Sequence, residues 1–102
     1  MVTTLKKNAI EQSTKPMIIM AFATWCPHCA KMEPIFEELE KELGEKYDFA
    51  KFDVDQDTEF TKSFQIQSLP TFIFLKNKNE VARELGEMPK DNLLALIEQH
   101  LN

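Results

Sequence analysis

In Met17-Ile18-Ile19-Met20-Ala21-Phe22-Ala23-Thr24-Trp25-Cys26-Pro27-His28-Cys29, seven apolar residues run without a break towards a tryptophan and two cysteines set two residues apart. The apolar run follows the breaker Pro16 and reads as a central strand covered on both faces. The residues after it change period. From Pro27 to about Leu43, Met32, Ile35, Phe36, Leu39 and Leu43 recur at helical spacing while Glu and Lys fill the other face, and Gly44 supplies the stop. Both cysteines of the chain therefore fall where a strand turns into a helix. A helix N-terminus leaves backbone N–H groups and positive dipole charge beside the first sulfur, so Cys26 is expected to be the more acidic and more nucleophilic thiol.

Working outward, Leu5 to Ser13 reads as a short first helix. Tyr47 to Val54 alternates like a second strand, and Asp57 to Phe64 reads as a short helix with Asp57 or Thr58 near its cap. Leu69-Pro70-Thr71 leads into a third strand, Phe72 to Leu75. Lys76 to Asn79 then turns the chain back into an antiparallel edge strand, Glu80 to Leu85. Gly86 breaks that strand. Pro89 is expected to open a last helix whose apolar face is Leu93, Leu94, Leu96, Ile97 and Leu101. Pro34 falls inside the long helix and is expected to kink it. Strands alternating with helices, followed by a hairpin, imply an α/β fold in which a mixed sheet carries helices on both faces.

Composition narrows the function. The chain has 102 residues, read as a single domain over 1–102, with 43% hydrophobic residues, eight Phe and only two Gly, as a packed interior requires. A formal charge of −5 opposes binding to nucleic acid, which needs a concentrated basic face. No apolar run approaches the roughly 20 residues of a membrane-spanning helix. The segment Met1 to Pro16 lacks the apolar block of a secretory signal. The chain as given thus reads as cytoplasmic, and as periplasmic if an export signal has been removed. Two cysteines in this length do not make a disulfide-dense scaffold, so their role is expected to be chemical. A structural bridge would close too short a loop to stabilise much. A zinc site would need four ligands, with only His28 and His100 available as histidines.

The strand, the Trp25-Cys26-Pro27-His28-Cys29 motif, the proline-containing helix and the later Leu69-Pro70-Thr71 before a hairpin resemble the thioredoxin family across nearly the whole chain. That resemblance implies a thioredoxin fold with a central mixed sheet of four to five strands. It implies a thiol–disulfide oxidoreductase acting on protein or peptide thiols and disulfides, with no cofactor beyond a redox-active Cys26–Cys29 disulfide and no metal. It further implies a monomer recycled by a partner such as a thioredoxin reductase or a membrane thiol carrier. By the same resemblance Pro70 would be a cis-proline beside the dithiol, and Leu69 would offer backbone hydrogen bonds to substrate. Gly86 would lie near the substrate groove, and Lys51 behind the active site. Trp25 would be either core or an aromatic shelf meeting substrate.

Two positions depart from the pattern. Met20 stands where thioredoxins carry a buried aspartate, leaving Cys29 without that proton route; Glu33, one turn along the helix, is a weak substitute. The central pair is Pro27-His28 rather than Gly-Pro, and Pro-His is the pair of the bacterial DsbA oxidases, although 102 residues leave no room for their inserted helical domain. Protonated His28 would favour the Cys26 thiolate, which stabilises the dithiol form and makes the centre more oxidising than typical thioredoxin. The alternative function is a dedicated electron carrier or binding module of the same fold serving one partner.

Overall fold

Strand β2 (Met17–Phe22) lies at the centre of a five-stranded sheet in the computed structural model, which describes residues 2–102. It pairs parallel with β3 (Asp48–Asp53) and antiparallel with β4 (Thr71–Lys76). The short β1 (Thr3–Thr4) flanks β3 in parallel, and β5 (Asn79–Leu85) closes the other edge against β4, giving the order β1-β3-β2-β4-β5. Residues 17–21 of β2 are all buried, which is why this strand carries no polar alternation.

Helices cover both faces. On one face Ile18, Met20, Phe49, Phe72 and Phe74 meet α2 (Pro27–Leu43) through Met32, Phe36 and Leu39, and α4 (Lys90–Leu101) through Leu93, Ile97 and Leu101. On the other, Met17, Ile19, Ala21, Phe52 and Ile73 pack with Ala9 and Ile10 of α1 (Ala9–Gln12) and with Phe60 of α3 (Thr58–Ser63). Each face removes several large side chains from water, at roughly 1.5–3 kcal/mol apiece.

Two expectations are corrected and one is narrowed. The helix read over Leu5 to Ser13 contracts to Ala9–Gln12, and a strand precedes it. Leu5 is buried in the second core instead, its amide bonded to the Lys51 carbonyl at 2.8 Å. A two-residue strand with both side chains exposed has no pattern to read. Pro89 is the N-cap of α4, one position before the first helical residue. Asp57, one of two caps considered, is the one used: its side chain accepts from the Phe60 amide at 2.9 Å.

Gly44 ends α2 with ordinary right-handed angles. A Cβ there would lie 2.6 Å from the Glu40 carbonyl oxygen, so close approach rather than backbone freedom demands the glycine.

Candidate active site

The β2–α2 junction builds the site from backbone geometry. Cys26 is the N-cap of α2 with extended angles, and its Sγ accepts the Cys29 amide hydrogen at 3.3 Å. A sulfur thus occupies the place that a Ser or Asp oxygen ordinarily takes at a cap, facing the free N–H groups of the first turn. Pro27 occupies the first turn, where its missing N–H costs nothing. Both cysteines are free thiols. Cys26 is 5% exposed and Cys29 1%, and they cluster with Ala23, Phe22, Val54 and Leu69. Burial first, and then the hydrogen bond with Cys26, pushes the Cys29 thiol up to about 12, with the Glu33 carboxylate adding in the same direction. Cys29 therefore keeps its proton at neutral pH.

Distant segments complete the rim. The Leu69-Pro70 peptide is cis, and the Pro70 carbonyl accepts the Gly86 amide at 2.9 Å, drawing the segment after β5 against the proline. Gly86 has φ +93°, a left-handed conformation that side chains resist. A groove of about 590 Å³ follows, with Leu69, Ile35, Met88 and Pro89 giving it apolar walls and Gly86, His28 and Glu87 at its polar side.

His28 reaches across this groove. Its Nδ1 lies 2.8 Å from Glu87 Oε1, and Lys31 approaches the same carboxylate at 3.8 Å. The hydrogen bond to His28, reinforced by the Lys31 charge, holds the Glu87 carboxyl below its usual range. Any positive charge on His28 is thereby opposed by a carboxylate. Glu87 lies 59 residues from His28, and no local signal pointed to it.

Trp25 is not core. It is 68% exposed, its indole N–H donates to Asp55 Oδ2 at 2.7 Å, and it is not part of the groove lining. Lys51 and Glu33 form a separate pair on the α2 face of the sheet, Nζ to Oε2 at 2.8 Å. Lys51 stands in register with Met20, which is fully buried. Pro34 lies within α2 and is exposed. Among the described residues no group of three or more His, Cys, Asp or Glu is arranged to hold a metal, and no helix is long and apolar enough to cross a membrane.

Comparison with known proteins agrees with this geometry. Residues 2–99 match the thioredoxin family model. The chain is 36% identical over 96 residues to thioredoxin of Bacillus subtilis, covering 92% of both chains. It is 38% identical over 92 residues to the chloroplastic thioredoxin Y of rice, covering 90% of this chain and 55% of that one. The crystal structure of thioredoxin NaTrxh from Nicotiana alata superimposes with a TM-score of 0.81 at 35% identity, covering 93% of this chain and 81% of that one. A family model matched over nearly the whole chain, a relative 36% identical across 92% of both chains and a solved structure of the same fold agree: the chain belongs to the thioredoxin family.

Proposed function

We propose that the protein is a thiol–disulfide oxidoreductase acting on protein or peptide substrates, with Cys26 as nucleophile and Cys29 as resolver. The observation that carries this reading is the cap itself: a sulfur seated on the first turn of a helix, accepting an amide hydrogen, beside a groove. In the reducing direction the Cys26 thiolate attacks a substrate disulfide, and one substrate sulfur leaves as thiolate. Cys29 then attacks Cys26 Sγ, the second substrate sulfur leaves with its electron pair, and a Cys26–Cys29 disulfide remains. Oxidation of a substrate dithiol is the same sequence reversed. No other cofactor is required. Leu69, Pro70 and Gly86 would hold an extended substrate segment, with Trp25 as an aromatic neighbour, and a thioredoxin reductase or membrane thiol carrier would restore the working state.

The direction of flow is set by how far the thiolate is stabilised. The Pro27-His28 pair, as in the DsbA oxidases, supports a potential above that of typical thioredoxin; the Glu87 counter-charge limits the gain. Equilibration with a glutathione redox buffer measures it, and a potential at or below typical thioredoxin contradicts the oxidising assignment alone. For the activity itself, reduction of insulin disulfides should be lost in Cys26→Ser, whereas Cys29→Ser should accumulate a mixed disulfide through Cys26. Activity that survives Cys26→Ser contradicts the whole reading. Turnover of only one protein client, with insulin untouched, would favour the dedicated carrier.

A further inference from the structure

Cys29 must lose a proton when it resolves the mixed disulfide, yet its surroundings provide no buried base. Among the described residues the buried polar or charged side chains come down to Thr71, and Met20 fills the neighbouring strand position with a thioether. One carboxylate follows the thiol on the same helix. Glu33 lies one helical turn beyond Cys29, a spacing that brings side chains to about 5–6 Å at their Cβ atoms. Its charge is felt at the Cys29 sulfur, which it helps to keep protonated at rest.

Glu33 is also fixed in place. Its Oε2 accepts from Lys51 Nζ at 2.8 Å, both groups are partly buried, and the Lys51 ammonium sits 5.6 Å from the Phe22 ring centroid. Lys51 and Phe22 in turn wall a cleft of about 280 Å³ whose other sides include Asp53, Gln56 and Asp57. The carboxylate one turn from the thiol is thus tied through Lys51 to a cleft with polar walls.

We propose that Glu33, positioned by Lys51, takes the Cys29 proton as that sulfur attacks the mixed disulfide, and returns it when the reaction runs backwards. The step rests on the oxidoreductase reading above. The Cys29 S–H bond breaks and Glu33 becomes the neutral acid. Cys29 Sγ bonds to Cys26 Sγ, the Cys26–substrate S–S bond breaks, and the substrate leaves as thiolate, to be protonated from Glu33 or water. The charged or titratable neighbours of the carboxylate are Cys29 on its own helix and Lys51 on β3. Glu37 lies one turn further along the helix, bonded to the Val2 amide at 3.1 Å, and Asp53 and Asp57 stand across the cleft. Met20 on β2 contributes no charge.

The test separates the two sulfurs. Reduced protein treated with 5,5′-dithiobis(2-nitrobenzoate) releases one thionitrobenzoate when Cys26 attacks and a second when Cys29 resolves the adduct, so two phases report two steps. Glu33→Gln should slow the second phase at neutral pH at least tenfold, the lower end for loss of a general base and more, while the first stays within twofold. In Glu33→Gln the second phase should climb about tenfold per pH unit, as attack by bulk hydroxide demands, where wild type is flatter. Glu33→Asp should recover part of the rate, and Glu37→Gln, the same charge change one turn away, should leave both phases alone. A Glu33→Gln second phase with the rate and pH profile of wild type overturns the proposal, as does equal slowing of both phases. Absence of the first phase in wild type would instead overturn the oxidoreductase reading, and this one with it.

Discussion

At the scale of single residues, the site is a balance of charges around one sulfur. His28→Leu removes an imidazole that carries positive charge whenever it is protonated and leaves the Glu87 carboxylate with Lys31 alone, and both changes disfavour negative charge on Cys26. The reduction potential should therefore fall, by about 30 mV for each 1.4 kcal/mol of thiolate stabilisation lost. His28→Leu combined with Glu87→Leu should fall less, because the stranded carboxylate is gone. Equal potentials in the single and double variants, measured in glutathione buffers, would show that the pair does not act through charge. Cys26 and Cys29 were legible from their spacing at a strand–helix junction, whereas the cis bond at Pro70 and the place of Gly86 near the groove followed only from the family resemblance. Long-range partners were not legible: Glu87 and Asp55 are ordinary surface acids until the fold carries them to His28 and Trp25, 59 and 30 residues away. Trp25 itself was ambiguous, because an aromatic beside a strand end reads equally as core or rim.

At the scale of elements, period and punctuation were enough wherever an element buries a continuous face. Strand β2, helix α2 and helix α4 came through with their apolar residues assigned, since five to seven large side chains leave a pattern no tertiary contact needs to supply. Strand β1 was lost because its identity lies in its pairing with β3, not in its two threonines. The β4–β5 hairpin was expected, but its strain was not. Asn77 and Lys78 both have positive φ, 54° and 69°, as a two-residue turn of the mirror-image type requires. Asparagine tolerates this and lysine does not readily. Lys78→Gly should stabilise the protein by about 0.5–1 kcal/mol in urea unfolding, relief of the positive φ outweighing the greater freedom of glycine in the unfolded chain. Further along β5, Phe74 faces Ala82 and Leu75 faces Glu80, so Val81 is the extra residue of a bulge that twists this exposed edge.

At the scale of the whole molecule, the buried thiol links redox state to stability. Between the ordinary thiol value of 9.0 and about 12, the unfolded chain releases the Cys29 proton while the folded chain keeps it, so stability of the reduced protein falls as pH rises through that window. The disulfide form has no such proton. Unfolding curves of the two forms should therefore diverge above pH 9, the reduced form losing ground at no more than about 1.4 kcal/mol per pH unit; parallel curves would mean that Cys29 ionises as freely folded as unfolded. The same asymmetry of the two sulfurs underlies the entire functional reading, and selective alkylation measures it most directly. Iodoacetamide labelling of the folded, reduced protein across pH 5–10, with each cysteine followed by mass spectrometry, should show Cys26 modified well before Cys29, whose buried thiol keeps its proton. Equal rates at both positions, with the pH dependence of the urea-unfolded chain, would contradict it.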